Sequence, residues 1–414
     1  MVIVSAILFF TGGAAPFAIV LKQLMTQFHT GRGEVSLSPS ITMIAAGITG
    51  IFVGRMLHRN SPKKFLLWGS VVGGVTLLLL SLANSLWFLY IFSVIAGLAG
   101  GFSNAISIFT LLSRWFVRKW GTALGIAMAG GGIGSIVFQP LVGIIAQNFG
   151  WRAMYLFAGS LILAINVPLI LFVFKDNPES MGLLPDGDKS KEIASPLKDK
   201  PLTQPTPTLE NTRLFSYLKR PALWLVSISF AFIAIGYSAV TAHEVSFITD
   251  MKISATIAAS ALGITLGLGA ISSLASGWLS DRLMSRYVTI LFLLLAIVGM
   301  LILIQADTMY KIWLFVVISG LGIGASGTLL PIVIRDIFGA ADFSALFGFT
   351  VVLLFAGNAI GAPLAGFIFD AARSYHIVFV IITVLYVAAV FGIYFAFGAN
   401  PKPFVRLSST KKQK

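Results

Sequence analysis

Twelve apolar runs follow one another along the chain, separated by short polar breaks: 3–27, 38–57, 65–84, 87–112, 121–145, 152–174, 221–248, 257–279, 287–306, 311–334, 343–367 and 376–398. A helix that crosses a bilayer needs roughly 20 mostly apolar residues. That many such runs restrict the chain to an all-helical membrane architecture. Composition agrees: 57% of the 414 residues are hydrophobic and 11% are charged, against about 25% charged in soluble domains. The first run begins at Val2 and reaches about Phe28. It exceeds the apolar core of a signal peptide and no small-residue cleavage pattern follows it, so it reads as span 1.

Net charge is +14. The basic residues gather in one set of loops: His58, Arg59, Lys63 and Lys64; Arg114, Arg118 and Lys119; Arg282 and Arg286; and the tail with Lys402, Arg406, Lys411, Lys412 and Lys414. In the alternate loops, basic residues are fewer and mostly accompanied by acids: Arg32 with Glu34, Arg152, Asp250 with Lys252, Asp307 with Lys311, and Asp370 with Arg373. The positive-inside bias puts the first set, and with it both termini, in the cytoplasm. The expected location is therefore the inner, cytoplasmic membrane. No basic face is interleaved with aromatics, so nucleic acid is not an expected partner. Cys is absent, which removes disulfides and thiolate metal sites. No metal and no cofactor is expected.

Residues 175–219 are rich in Pro, Ser, Thr, Asp and Lys, the composition of a flexible tether. They divide a half at 1–174 from a half at 220–398, with a basic tail at 399–414. The halves are related by a constant offset of 223 residues. Gly54 pairs with Gly277, Arg59 with Arg282, Lys63 with Arg286, Gly97 with Gly320 and Gly101 with Gly324. Gly125 pairs with Gly348, Gly134 with Gly357, Pro140 with Pro363 and Gly143 with Gly366. Two parallel repeats of six spans are the plan of the major facilitator transporters. On the fifth span of each half, Gly130 with Gly134 and Gly357 with Gly361 form small-xxx-small pairs, which admit close helix approach. Together with Pro140 and Pro363 they are expected to pack half against half.

Two loops strengthen the resemblance. Gly277, Asp281, Arg282 and Arg286 in GWLSDRLMSR match the major facilitator loop signature. The first copy, from Gly54 through Arg59 to Lys63, departs from it, with His58 where Asp is usual. The resemblance implies that these loops gate the inner face. RWFVRKWGTALGIAMAGGGIG, from Arg114, resembles the monocarboxylate porter branch, which includes the bacterial oxalate:formate antiporters. FGWR before span 6 and NPESMGLLPDG after it fit as well. The resemblance implies an alternating-access secondary transporter of small organic acids, coupled to protons or to a counter-substrate. Many members carry a basic residue in span 8. This span 8, ATIAASALGITLGLGAISSLASGWL, has none, and span 11 has no intramembrane lysine.

Ionisable residues inside spans are candidates for binding or proton relay. His243 and Glu244 are adjacent in span 7 and about 100° apart on a helix. The branch tends to place a His at the position of His243, and His titrates near neutrality. Lys22 in span 1 either meets an anion or snorkels to the interface. Asn104, Gln139, Tyr237 and Asn358 either bind substrate or join helices. GLGIGASG near Gly322 imitates a dinucleotide loop and GGGIG at 130–134 a phosphate loop, but both lie inside apolar spans. The expectation is a twelve-helix transporter, working as a monomer in the lipid bilayer and moving a small organic anion, with protons as a possible second partner. Export of a neutral or amphipathic molecule is the alternative. A membrane sensor lacks an output domain here, and an enzyme would want clustered acids and histidines at one depth.

Overall fold

The computed structural model describes residues 1–12, 17–56, 60–103, 105–116, 120–181, 217–339 and 343–399. Span 1 is two helices, Val2–Gly12 and Phe17–Phe28. Span 2 is Arg32–Met56, span 3 Pro62–Leu80, and span 4 the pair Leu86–Ser103 and Ala105–Trp115. Spans 5 and 6 share Trp120–Pro168, which Gly150 divides with non-helical φ 81° and ψ 171°. Span 7 is Pro221–Asp250, span 8 Ala255–Ser280 and span 9 Ser285–Ile304. Span 10 is Met309–Ile323 followed by Ser326–Phe338, span 11 Phe343–Ala372 and span 12 His376–Gly398. By length and hydropathy alone ten stretches of the described residues qualify as membrane crossings, one of them holding both spans 5 and 6. Span 2 is rich in hydroxyls, with Ser36, Ser38, Ser40, Thr42 and Thr49.

Those hydroxyls explain why the predicted start of span 2, residue 38, is too late. The helix begins at Arg32. Its polar first turns face protein rather than lipid, with Ser36, Ser38 and Ser40 all buried. Ser38 bonds Ser93 at 2.7 Å, and Thr42 donates to the Ser93 carbonyl at 3.1 Å. At the end of span 6, Pro168 has no amide to give, and the chain winds as a π-turn over Leu169–Val173. The lipid-facing surface carries large apolar side chains such as Trp87, Phe172, Val384 and Phe391, as a bilayer requires and water would not tolerate.

The 223-residue repeat reaches the backbone itself. His29 and its counterpart Lys252 both take left-handed φ values, 52° and 63°. Gly150 and its counterpart Arg373 do the same, at 81° and 54°. All four end helices on the membrane face away from the chain termini, where a left-handed residue turns the chain sharply back. We call this the distal face and the other the terminal face.

The halves meet along two helix pairs, span 5 with span 8 and span 2 with span 11. Both are glycine contacts: Gly143 lies against Ala259, and Gly366 against the backbone of Arg32 and Gly33. On the distal side one apolar core runs through both halves, from Leu21 and Met154 to Ile248 and Phe379. On the terminal side it splits in two, around Leu66 and Leu111 in one half and Phe230 and Ile334 in the other. The halves are closed distally and parted terminally.

Candidate functional site

A cavity of about 780 Å³ fills the gap between the parted halves. It lies among spans 1, 5, 7, 8 and 10, and extends to Gly125 and Gly277 near the terminal ends of spans 5 and 8. Glycines create the room: Gly131, Gly132, Gly269 and Gly324 all line it. Among the described residues its polar side chains are hydroxyls, Ser135, Tyr237, Thr241, Thr265 and Ser273 among them, and none that lines it is charged. Span 10 breaks where Gly324 presses on Gly269. A methyl on Gly324 would stand 2.1 Å from the Gly269 Cα. Ser272 and Ser273 of span 8 donate to the Leu321 and Gly324 carbonyls at this break.

Tyr237, Thr241 and Glu244 follow one another at steps of four and three, so they share a face of span 7. The first two line the cavity. Glu244 sits directly beyond them, 4% exposed. The Thr265 hydroxyl meets its Oε1 at 2.9 Å, and its Oε2 is buried with no hydrogen-bond partner.

His243, one residue earlier, points elsewhere. It is 2% exposed and belongs to the closed distal face. Its Nε2 lies 2.9 Å from the Ala362 carbonyl and 3.2 Å from Ser36 Oγ, and its Nδ1 lies 2.8 Å from Tyr375 Oη. A carbonyl only accepts, so Nε2 carries the proton and Nδ1 accepts from Tyr375. Burial raises the Tyr375 phenol above its ordinary pKa, which keeps that donor in place. Arg32 Nη1 donates in turn to Tyr375 Oη at 2.5 Å. The chain Arg32–Tyr375–His243–Ala362 thus begins in one half and ends in the other.

Arg32 is the centre of these contacts between the halves. It is 5% exposed, and its guanidinium grips Asp250 with two prongs, at 2.9 and 3.0 Å. Lys22 joins the same carboxylate at 2.6 Å. The guanidinium also lies over the Phe369 ring, 3.6 Å from its centre. Asp370 accepts from the amides of Arg32 and Gly33 at 2.9 and 2.8 Å, at the electropositive start of span 2. A methyl on Gly31 would stand 2.3 Å from the Asp370 carboxylate, so only glycine admits it. The symmetry-related corner is neutral. There Thr256, the counterpart of Gly33, donates to Gln147, the counterpart of Asp370, at 3.0 Å.

The expected packing glycines need correction. Gly130 and Gly134 do not touch the other half: added methyls would strike the Ala6 and Phe10 carbonyls of span 1. Gly357 and Gly361 likewise press on Ala231 and Ile235 of span 7. These pairs lock helices within each half. The inter-half face of span 5 is half a turn away, where Gly132 meets Ala270. Pro140 and Pro363 lie inside spans 5 and 11. Pro363 leaves the Ala359 carbonyl without its in-helix donor, and Ser40 of the opposite half donates to it instead.

The remaining candidates scatter. Tyr237 lines the cavity. Gln139 is buried between spans 5 and 8, its Cβ against Gly263. Asn358 donates back to the Leu354 carbonyl of its own helix at 3.2 Å. Asn104 and Arg59 lie outside the described residues. Gly54 is in the last turn of span 2. The Lys63 amide and Nζ bind Asp176 and the Leu171 carbonyl, at 3.0 and 2.8 Å, within its own half. Gly277 borders the cavity, and Asp281 ends span 8. Arg282 stacks on Trp278 at 3.5 Å and Arg286 on Tyr394 at 3.9 Å.

The sequence places Arg32, Asp250 and Asp370 in loops between spans and gives no reason to single out Tyr375. Their signal was there in part, since Arg32, Asp250 and Asp370 are charges at span ends. Sequence pairing matched each to its neighbour, and for Asp307 with Lys311 that pairing forms, at 2.8 Å. Arg32 instead finds its acid 218 residues away.

Known proteins resemble the whole arrangement. The chain is 26% identical over 363 residues to monocarboxylate transporter 12 of Rattus norvegicus, covering 84% of this chain and 73% of that one. It is 26% identical over 375 residues to YcxA, an uncharacterized MFS-type transporter of Bacillus subtilis (strain 168), covering 87% and 85%. A bacterial homolog to the human lysosomal transporter Spinster, in an inward-facing and unoccupied conformation, shares the fold with a TM-score of 0.73 at 15% identity, over 96% of this chain and 95% of that one. Residues 1–340 match the family description Major Facilitator Superfamily. A match running from the first span through the tenth, on two six-helix halves around a central cavity, settles the family: the chain belongs to the Major Facilitator Superfamily.

Proposed function

We propose that this transporter moves a small organic anion, monocarboxylate-like, across the cell membrane by alternating access, driven by a proton gradient or by counter-substrate. The observation that carries the anion reading is the sharing of Asp250 by Lys22 and Arg32 across the two halves. Both cations belong to one half and the acid to the other. When the distal face opens, Asp250 departs with its half and leaves two cations on one wall. A buried charge demands a partner, and an incoming carboxylate supplies it. The names of the monocarboxylate transporter relatives support the same cargo. The basic loops support a cytoplasmic terminal face, which makes the present state inward-open. Residues 175–219 act as the tether between halves that rock as units, each protein molecule working alone.

A second reading is export of a neutral or amphipathic molecule. It is favoured by the lack of charge among the described residues that line the cavity. Uptake into liposomes carrying the purified protein decides between them, using a panel of labelled monocarboxylates with and without a pH gradient. Saturable carboxylate entry supports the first reading. No carboxylate movement under any gradient, with efflux of a neutral amphipath, replaces it by the second.

A further inference from the structure

Glu244 is buried in the membrane without an ion-pair partner among the described residues, and gating does not use it. None of the described titratable or charged side chains on the helices packed around span 7 pairs with Glu244. Lys22 of span 1 holds Asp250, and Asp370 of span 11 holds the amides of Arg32 and Gly33. Tyr375 bonds Arg32 and His243, while Tyr386 of span 12 packs on Gly236, about two turns from Glu244, with its hydroxyl buried and unbonded. On span 10, Lys311 pairs with Asp307, and Asp336 accepts from Ser285. Arg373 and His376 are exposed at the distal surface, and Arg335 lies in the last turn of span 10. Span 8, the helix facing Glu244, has no ionisable residue between its ends.

Thr265 constrains the state of the acid. Its Oγ lies 2.9 Å from Glu244 Oε1 and 3.1 Å from the Ala261 carbonyl, yet a hydroxyl has one proton to give. Both contacts are satisfied at once when Glu244 is protonated: Oε1–H donates to Thr265 Oγ, and Thr265 Oγ–H donates to Ala261. Ionised, the carboxylate leaves Oε2 bare in a low-dielectric site, the arrangement that burial penalises most. Thr265 also lines the cavity, so the hydroxyl joins the acid to the space the cargo occupies.

We propose that Glu244 is a proton-binding site opening onto the cavity through Thr265, and that the proton it takes up there travels with the anion. Glu244 and Thr265 both belong to the second half, so the pair moves as a unit while the cavity it faces is turned from one side of the membrane to the other. The carboxylate takes a proton from the side to which the cavity is open, is neutral during the turn, and returns the proton on the far side. This rests on the organic-anion reading and makes the transporter a proton symporter rather than an exchanger of two anions.

Two measurements separate the ideas. Infrared difference titration of the purified protein reads the acid without any cargo. A protonated-carboxyl band that persists at neutral pH and is missing in Glu244→Gln is expected; its presence in the variant, or its absence from the parent protein, overturns the proton site. In liposomes, Glu244→Gln is expected to lose accumulation driven by a pH gradient and to keep exchange of labelled for unlabelled carboxylate, which also reports that the variant is folded. Thr265→Val should shift the infrared band, because its partner hydroxyl is gone. Gradient-driven accumulation that survives in Glu244→Gln overturns the proposal. Carboxylate exchange without any gradient-driven component in the parent protein overturns the coupling and leaves the anion reading standing. Absence of all carboxylate transport overturns the anion reading, and the infrared titration then decides the proton site by itself.

Discussion

Arg32 and Asp250 face each other across the boundary between the two halves, joined by two parallel contacts of 2.9 and 3.0 Å. Arg32 is almost fully buried and Asp250 is partly open, and the pair fastens the distal face shut. A planar guanidinium matches a carboxylate bidentately, and lysine does not reproduce that fork.

Replacing Arg32 by Gln should therefore loosen the distal gate. Truncating one partner of such a pair costs about 2 kcal/mol at the low end, roughly thirtyfold in population. The low end applies because Asp250 keeps Lys22 and some water. The protein has no cysteine, so Ser36→Cys gives a background-free probe. Its labelling by an impermeant thiol reagent from the distal side should rise in the Arg32→Gln background. Unchanged labelling would show that Arg32 does not hold the gate.

Lys22→Gln should act on one side of the membrane only. On the proposed anion reading Lys22 meets the cargo only once Asp250 has withdrawn, so apparent anion affinity measured from the distal side should fall about tenfold, equivalent to roughly 1.4 kcal/mol. Affinity from the terminal side should stay as it is. Equal losses on both sides would contradict the placement.

His243→Gln should alter turnover rather than binding from the terminal side. The side chain touches the gate residues Tyr375 and Ser36 and not the cavity. Losing its buried hydrogen bonds costs roughly 1–3 kcal/mol of gate closure. The measurement is KM and maximal rate in inside-out vesicles: the rate should change and KM hold. A KM change alone would move His243 into the binding site.

Gly134→Ala and Gly132→Ala should differ although only two residues separate them. A methyl on Gly134 would stand 2.0 Å from the Phe10 carbonyl within the same half. Overpacking of this kind costs about 1–3 kcal/mol, and it should appear as a lower unfolding temperature in detergent. A methyl on Gly132 would stand 2.5 Å from Ala270 of the other half. That variant should keep its unfolding temperature more closely and shift the balance between gate-open and gate-closed states, read with the same Ser36→Cys probe. Identical behaviour of the two variants would erase the distinction between packing within and between halves.

The sequence by itself determined the membrane character, the approximate spans and the doubled plan. Hydropathy is a local sum, and a repeat is visible as a fixed offset; even the left-handed helix ends at His29 and Lys252 obey it. His243, Glu244 and Lys22 were also legible, because an ionisable group in an apolar run stands out. Only the tertiary structure decided what each of them does. Adjacent side chains about 100° apart on one helix went to different sites, His243 to the gate and Glu244 to the cavity. Gly130 and Gly132 faced different halves for the same reason. The gate itself could not be read in advance, because its contacts join Arg32 to Asp250, Asp370 and Tyr375, more than 200 residues away along the chain. Side-chain periodicity tells which residues share a face, but which neighbour that face meets is set by the packing of the two halves.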